Sequence, residues 1–248
     1  MQGRRTVLTQ RWADIAWAHW PVDPQSVGRL LPPSLTPDLF EGTAWVGLVP
    51  FEMQQLRPMI GDRSVPMPRA VESFTEVNVR TYVRGPRGPG VWFCSLDATS
   101  VLAVGVARAA WSLPYRRARV EAHVDGGSRR WAIRRHDGTT GRLEVSVGGR
   151  RPAGELDSFL TARSALYAQP RWTQRLLWCP VAHEPWRLHD AGLDAVDDGL
   201  VRAAGFSPVG KPLVVAAEPV DVRVGLPELI RVGQGSGQVG YDRPSTRV

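Results

Sequence analysis

Four polar side chains occupy alternate positions between residues 76 and 82. They are Glu76, Asn78, Arg80 and Tyr82, and this spacing places all four on one face of a β-strand. A carboxyl group or a phenol can exchange a proton with a substrate, and the guanidinium fork of an arginine suits a carboxylate. A solvated outer face of an antiparallel strand would show the same alternation. The pattern therefore predicts either the lined interior of a barrel or cleft, or an exposed sheet face.

These residues form the first strand of a predicted β-hairpin. The side chains between the polar positions are all β-branched, which favours a strand and indicates that this side packs against the protein; they are Val77, Val79, Thr81 and Val83. The stretch 84–90 is rich in glycine and proline and predicts the turn, and residues 91–98 form the second strand. Residues 101–111 predict a further strand.

The register of this hairpin decides which residues of the second strand join the polar face. If Glu76 lies opposite Asp97, then Glu76, Arg80 and Asp97 form one charged cluster, which is the pairing that buried charges require. If the pairing slips by one residue, Trp92 and Cys94 face that side instead. The sequence favours the first register and leaves the second open.

Composition predicts one mainly β (α+β) domain. The chain has 248 residues, of which 43% are hydrophobic, and this is enough for a single large core. Its 21 prolines and 25 glycines are scattered among short alternating segments, which favours many strands joined by turns. A short helix is predicted at residues 25–31, and the longest helix of the chain at residues 155–167. We expect the domain to span residues 7–231 and a flexible C-terminal tail to occupy residues 232–248.

The sequence predicts a soluble, cytoplasmic protein. No apolar run approaches the length needed to span a membrane, so no membrane partner is expected. The N-terminal residues lack the apolar core of a signal peptide.

The charge of the chain raises the alternative of nucleic-acid binding. The formal net charge is +7 and the pI is near 10.3, and arginines are concentrated at residues 116–119 and 129–135. The remaining arginines are spread along the chain, and no pattern of stacking aromatic residues accompanies the two concentrations. No nucleic-acid partner is therefore expected, and a steep salt dependence of binding would be its signature.

Common catalytic and cofactor motifs are absent from the sequence. It contains no G-x-G-x-x-G, no Walker loop and no G-x-S-x-G, so no cofactor is predicted. Cys179, His183, Glu184 and His189 lie close together, but their spacing does not match the zinc-protease helix motif, and no metal site is predicted. Lys211 is the single lysine of the chain, and its glycine- and proline-rich setting predicts an exposed turn.

Several stretches together resemble the YqjF-like family, a bacterial group defined as domain of unknown function 2071. The resemblance covers roughly residues 8–224, and the stretches that carry it are QRWADIAWAHW, LLPPSLTPDLFEGTAWVGLVPFEM, FTEVNVRTYV, VWFCSLDA, ARAAWSLPYRRARV and FLTARSALY. This family looks like a distant relative of the acetoacetate decarboxylase superfamily. The resemblance implies a curved antiparallel sheet closed into a barrel around a small-molecule cavity, with a few peripheral helices. It favours an interior position for the four polar residues.

The resemblance also bears on the chemistry. The decarboxylases carry their amine in a glycine-aromatic-proline-lysine-lysine stretch, and the similar region here is residues 112–117, in which Tyr115 and Arg116 follow the proline. Arginine cannot replace the lysine nucleophile because its guanidinium stays protonated. Schiff-base chemistry is therefore not expected at this position. Glu76 resembles a cavity glutamate of the decarboxylases, so an acid/base role could remain.

We therefore predict a small-molecule-binding barrel protein and leave open whether it is an enzyme. In the enzyme hypothesis, the chemistry is lyase-like or isomerase-like and acts on a small carbonyl or carboxylate compound. Glu76, with Tyr82 or Tyr115, moves a proton, and the substrate-binding residues are Asn78, Arg80, Asp97 and Arg116. The alternative is a non-catalytic ligand-binding or sensing module on the same fold. Relatives on this barrel are often oligomeric, so the resemblance is compatible with a homo-oligomer.

Overall fold

Strands form most of residues 5–100 and 113–230, which are the part of the chain that this computed structural model describes. The strands are β1 (Thr6–Ala13), β2 (Ala16–Val22), β3 (Thr36–Pro37), β4 (Ala44–Ile60), β5 (Arg63–Ser64), β6 (Phe74–Gly85), β7 (Gly88–Ala98), β8 (Tyr115–Asp125), β9 (Ser128–Arg135), β10 (Thr140–Arg150), β11 (Ala165–Ala168), β12 (Leu176–His183), β13 (Leu188–Asp197), β14 (Leu213–Ala217), β15 (Val220–Gly225) and β16 (Glu228–Ile230). The helices are α1 (Pro24–Gly28), α2 (Arg69–Glu72), α3 (Glu155–Thr161) and α4 (Gly199–Ala203). The prediction of a mainly β protein with a few helices is confirmed.

Strand pairing closes the sheet into two rings. In the first, which we call the cavity ring, strands β4, β6, β7, β11, β12, β15 and β1 pair in turn, and β1 pairs back with β4. In the second, the core ring, strands β4, β6, β7, β8, β9, β10, β13, β14 and β2 pair in turn, and β2 pairs back with β4. The two rings share β4, β6 and β7. The sheet is therefore closed and ring-like.

The sheet is mixed, whereas the sequence predicted an antiparallel one. Strand β7 pairs parallel with both β8 and β11, and the other pairings around the two rings are antiparallel. The chain between Ala98 and Tyr115 is longer than the dozen or so residues that a parallel connection requires. This length lets β8 start beside β7 and run in the same direction.

The two faces of β6 border different interiors. Val77 and Val79 are fully buried in an apolar cluster of the core ring, together with Trp131 and Leu143. The polar residues of β6 lie on the opposite face and are also buried, with Glu76, Asn78, Arg80 and Tyr82 between 0 and 8% exposed. The strand and its alternation are confirmed, and the alternative of an exposed polar face is wrong.

A β-bulge divides the β6–β7 hairpin into two registers. Arg80 pairs with Phe93, as predicted, but Glu76 pairs with Ala98, because the register shifts between Val79 and Arg80. Asp97 consequently lies opposite Val77 and shares the core-ring face of the hairpin. The predicted pairing of Glu76 with Asp97 is wrong because one extra residue in β7 reverses the face of every residue beyond it.

The first predicted helix begins where expected. The side chain of Asp23 accepts hydrogen bonds from the backbone N–H groups of Gln25 and Ser26, at 3.2 and 3.1 Å, and so caps α1. The second predicted helix is too long, because α3 ends at Thr161 and β11 follows within the predicted span. β11 pairs with both β7 and β12, and this pairing overrides the helical spacing of its apolar residues.

Two predictions fall outside the described residues, namely the strand at 101–111 and the tail at 232–248. No helix in the described part of the chain is long and apolar enough to cross a membrane.

Candidate functional site

A cavity of about 150 Å³ lies inside the cavity ring. Each strand of the ring contributes to its wall, and most of the lining is apolar. Its polar and titratable lining residues are Gln10, Glu76, Asn78, Arg80, Tyr115, Thr161, Arg163 and His183. A cavity of this volume holds a molecule the size of benzene. The cavity therefore offers a small, mainly apolar chamber with a line of polar groups along β6.

A larger open groove lies next to this cavity and shares Phe93, Leu113 and Tyr115 with its lining. It measures about 840 Å³ and includes Trp92, Arg171 and Trp172 in its lining. Arg171 is its one charged lining residue in the described part of the chain, and its side chain is exposed. Tyr115 lines both spaces, but the buried Glu76, Asn78 and Arg80 line the ring cavity and not the groove, so the ring cavity is the candidate site.

Glu76 and Tyr115 form a hydrogen-bonded pair in the cavity. The hydroxyl of Tyr115 donates to Oε2 of Glu76 at 2.9 Å. Burial raises the pKa of Glu76 to about 7, and the hydrogen bonds from Tyr115 and Asn78 act in the opposite direction. Burial and the nearby Glu76 raise the pKa of Tyr115 well above its usual value, so this phenol stays protonated. Glu76 can therefore either hold or release a proton near neutral pH.

Arg80 places a buried positive charge on the cavity wall. Its Nη2 donates to the carbonyl oxygen of Leu160 at 3.0 Å, and its Nε has no hydrogen-bond partner. Within residues 5–100 and 113–230, no carboxylate lies within ion-pair distance of Arg80. Two other buried arginines differ, because Arg135 pairs with Asp97 and Arg163 pairs with Asp38. An unpaired buried guanidinium is costly, so Arg80 is suited to an anion from outside the chain.

Asn78 lies between Glu76 and Arg80 on the same face of β6. Its Oδ1 is buried and has no hydrogen-bond partner. A buried polar atom without a partner costs free energy unless a ligand or a water satisfies it. The β6 wall of the cavity thus offers a proton-exchanging carboxyl group, an amide and a guanidinium in sequence.

Tyr82 is on β6 but is not among the described residues that line the cavity. Its hydroxyl donates to the carbonyl oxygen of Leu160 at 2.6 Å and lies 2.6 Å from Nε2 of His19. Because the hydroxyl of Tyr82 donates its proton to the carbonyl oxygen of Leu160, Nε2 of His19 must be the donor to the hydroxyl oxygen of Tyr82. Burial, followed by the charge of Arg80, lowers the pKa of His19 well below its usual value, so this histidine is neutral. Tyr115 and not Tyr82 contacts Glu76.

Asp97 and Arg116 are not brought into the cavity either. Asp97 is fully buried and accepts hydrogen bonds from Nε and Nη2 of Arg135, at 2.7 and 2.6 Å. Arg116 is exposed, because it follows Tyr115 in β8 and successive residues of a strand point to opposite faces. The predicted cluster of Glu76, Arg80 and Asp97 does not form, and the partner of Asp97 comes from β9.

Sequence reasoning missed His183 and Arg163 as cavity residues. His183 was considered only as a metal ligand, and the described residues contain no group of three or more side chains that could hold a metal ion. Its position two residues after Val181 in an apolar strand was the available signal, because both side chains line the cavity. Arg163 lies within the helix predicted at residues 155–167, but α3 ends at Thr161 and so does not include it.

Lys211 is exposed and is not part of the cavity lining. Since it is the single lysine of the chain, no lysine amine is available in the cavity to form a Schiff base. The departure from the decarboxylase pattern at residues 112–117 is therefore not compensated by a lysine elsewhere in the wall.

Comparison of the sequence with known families and proteins gives two matches. The model of the DUF2071 family, described as an uncharacterized conserved protein, matches residues 9–221. The chain is also 32% identical over 222 residues to the uncharacterized protein YqjF of Bacillus subtilis (strain 168). This alignment covers 87% of this chain and 89% of YqjF. The resemblance inferred from the sequence is confirmed.

Comparison with solved structures identifies the fold. The enduracididine biosynthesis enzyme MppR in complex with pyruvate aligns with a TM-score of 0.64 at 13% identity, covering 93% of each chain. An acetoacetate decarboxylase-like enzyme from Sphingomonas wittichii RW1 aligns with a TM-score of 0.64 at 14% identity, covering 92% of this chain and 94% of the other. A structure of acetoacetate decarboxylase aligns equally well, at 12% identity and 95% coverage of this chain and 92% of the other. The chain has the acetoacetate decarboxylase-like fold.

Proposed function

The chain belongs to the DUF2071 family, and we propose that it binds a small carbonyl-containing carboxylate in the ring cavity and moves a proton on it. The ligand is held by Arg80, and Glu76 exchanges the proton with help from Tyr115. The reaction class is isomerase-like or lyase-like and uses no Schiff base. This role is consistent with a fold shared with enzymes that act on small molecules, although the fold alone does not assign a function.

The observation that carries this proposal is that Arg80 has no carboxylate partner among the described residues. A carboxylate on the ligand would give the guanidinium the ionic partner that Arg135 and Arg163 already have within the chain. The interaction would be strong, because a charge-assisted hydrogen bond gains from the low dielectric of a buried site. The apolar remainder of the wall, which includes Val49 and Phe51 of β4, suits the carbon skeleton of the same ligand.

The order of groups on β6 supports a reaction at the carbon next to a carbonyl. We place the carboxylate on Arg80 and the carbonyl group on the side of Asn78 and Glu76, which lie beyond Arg80 on the same face of β6. The pKa of Glu76, raised to about 7 by burial, lets its carboxyl group donate a proton to an oxygen that gains negative charge. Tyr115 supports the carboxylate that remains, since its hydroxyl already donates to Oε2.

Pyruvate is a suitable first probe. It has as many heavy atoms as benzene, which a cavity of about 150 Å³ accommodates. It carries a carboxylate and a carbonyl on adjacent carbons. MppR, which shares the fold, has been solved in complex with pyruvate. Acetone is the matched control, because it keeps the carbonyl and a methyl group and lacks the carboxylate.

Calorimetric titration of the purified protein with pyruvate tests the proposal. We expect wild type to bind pyruvate and not acetone, Arg80→Met to lose the binding, and Arg116→Met to keep it. Arg116 is the matched control because it is an exposed arginine that the sequence also nominated. Circular dichroism and the melting temperature establish that each variant is folded. Unchanged pyruvate affinity in Arg80→Met, or loss of binding in Arg116→Met, would contradict the proposal.

Turnover separates this proposal from its alternative. If pyruvate binds through Arg80 but none of its protons exchange with solvent in the presence of the protein, the cavity belongs to a non-catalytic binding module.

A further inference from the structure

We propose that His183 is a second proton-transfer residue of the cavity and acts as the base that removes a proton from carbon. The inference rests on the proposed function, because it assumes a carboxylate compound held by Arg80. It adds a reacting group on a different wall and narrows the chemistry to enolisation, with His183 acting at carbon and Glu76 acting at oxygen.

His183 and Glu76 lie on opposite walls of the cavity. In the pairing order of the cavity ring, β12 is separated from β6 by β7 and β11 on one side, and by β4, β1 and β15 on the other. His183 is the last residue of β12, and its side chain lines the same cavity as Glu76. A ligand that fills so small a chamber contacts both walls. The two groups can therefore act on different atoms of one molecule.

The hydrogen bond of His183 determines which ring nitrogen can act as a base. Its Nδ1 lies 2.7 Å from the backbone carbonyl oxygen of Glu184. A carbonyl oxygen only accepts, so Nδ1 carries the proton. In the neutral ring, Nε2 therefore has a lone pair, and no described residue donates a hydrogen bond to it. This tautomer is the one that a base acting from Nε2 requires.

Two tryptophans hold the imidazole ring in place. The ring centroid of Trp186 lies 4.8 Å from that of His183, and the centroid of Trp12 lies at 5.9 Å. Both tryptophans also line the cavity. Trp186 is itself fixed, because its Nε1 donates to the carbonyl oxygen of Thr161 at 3.1 Å. The position of His183 is thus set by contacts on several sides.

Burial is the main reason that His183 is neutral. Burial lowers its pKa below the usual value, and the charge of Arg80 on β6 lowers it further. The hydrogen bond to the backbone of Glu184 and the charge of its side chain act in the opposite direction. With the pKa of Glu76 raised to about 7, the usual order of the two groups is reversed. Near neutral pH the glutamate can hold a proton while the histidine has a free lone pair.

The step is balanced without any further reactant. Nε2 of His183 takes a proton from the carbon next to the carbonyl, and the C–H electron pair forms a C=C bond. The π pair of the carbonyl moves to its oxygen, which takes the proton of Glu76. The products are an enol, an imidazolium and a carboxylate, and the reverse step restores the ketone. In D₂O the imidazolium exchanges its proton, so the returning step delivers deuterium to carbon.

Deuterium incorporation into the methyl group of pyruvate, followed by proton NMR in D₂O, tests the inference. We expect wild type to accelerate this exchange over buffer and His183→Asn to lower the protein-catalysed rate by about a hundredfold, the usual contribution of a general base. Pyruvate affinity should change little in this variant, because Arg80 remains. The matched control is His123→Asn, in which an exposed histidine of β8 is replaced and the rate should be unchanged.

Chemical rescue distinguishes a base from a structural residue. Added imidazole should restore part of the exchange in His183→Ala above the rate that imidazole gives without protein, because it can occupy the vacated space. Wild-type exchange that persists in His183→Asn would overturn the inference, as would pyruvate binding with no exchange in wild type. In the first case the proposed function stands without His183, and in the second only its binding site stands and the non-catalytic alternative applies. Absence of pyruvate binding in wild type would instead refute the proposed function, and this inference with it.

Discussion

Arg80 and Tyr82 donate hydrogen bonds to the same acceptor, the carbonyl oxygen of Leu160, at 3.0 and 2.6 Å. This carbonyl lies in the last turn of α3, where helix carbonyls have no partner within the helix. The two neighbouring backbone carbonyl oxygens also accept hydrogen bonds from side chains. The carbonyl of Phe159 accepts from Arg163, and the carbonyl of Thr161 accepts from Trp186. The end of α3 therefore positions side chains of the cavity wall, and the two arginines complement the negative end of the helix dipole.

Replacement of Tyr82 by phenylalanine should reduce stability and leave ligand binding intact. The change leaves the Nε2–H of the buried His19 without its acceptor, which costs about 1–3 kcal/mol. Arg80 keeps its hydrogen bond to Leu160, so pyruvate affinity should stay within about threefold. Urea unfolding and calorimetric titration measure the two quantities. Lost affinity at unchanged stability would instead assign Tyr82 to the site, as the sequence first suggested.

Replacement of Gly47 by alanine should destabilise the protein through His19. A Cβ at this position would lie 2.8 Å from Cδ2 and Nε2 of the histidine ring, whose hydroxyl partner is fixed. We expect a loss of about 1–3 kcal/mol in the free energy of unfolding. The same change in a His19→Ala background should cost much less, because the obstructing ring is gone. Equal costs in the two backgrounds would show that His19 is not the obstacle.

The stability of the wild type should fall as the pH rises through the range between the two pKa values of Glu76. The folded-state pKa is raised to about 7 by burial, above the ordinary value of 4.5, so the folded state binds more protons within this range. The contribution is fully present below about pH 4.5 and is lost by about pH 7, and it amounts to about 3 kcal/mol. Glu76→Gln removes this group, so its free energy of unfolding should rise relative to wild type between pH 5 and pH 8. Parallel urea-unfolding profiles for the two proteins would rule out the raised pKa.

Replacement of Asp97 by asparagine should be severely destabilising. Arg135 would remain buried without a counter-ion, and breaking a buried pair of this kind costs about 3–5 kcal/mol. Asp221→Asn is the matched control, because its pair with Arg11 is exposed and should be worth less than about 1 kcal/mol. Urea unfolding compares the two variants. Similar small losses in both would mean that the Asp97–Arg135 pair contributes little.

Local pattern was sufficient to predict that the polar residues of β6 share one face, and the family resemblance, not the pattern, favoured an interior position for that face. The period of two assigned Glu76, Asn78 and Arg80 to one face, and the β-branched residues between them identified the packed side. The pattern could not show the bulge in β7, which depends on one additional residue and reverses the face of Asp97. The predicted charged cluster therefore failed at the residue beyond the bulge.

The opposite wall depends on contacts between residues that are far apart in the sequence. Trp12 contacts the ring of His183, and the charge of Arg80 lowers its pKa. Both residues belong to strands that are more than a hundred residues away in the sequence. Arg163 enters the wall because α3 ends early, and that end follows from the pairing of β11 with β7 and β12. The period of two in β12 places His183 on the same face as Val181 but does not show that this face lines the cavity, and no short-range pattern indicates the early end of α3 that brings Arg163 into the wall.

The alternation along β6 separates the cavity wall from the apolar core within a single strand. Glu76, Asn78 and Arg80 line the cavity, whereas Val77 and Val79 pack in the core. Because successive side chains of a strand point to opposite faces, a substitution at position 76, 78 or 80 alters the cavity wall without replacing a core side chain. The polarity of the cavity can therefore be redesigned at three positions of one strand while the core sequence is kept.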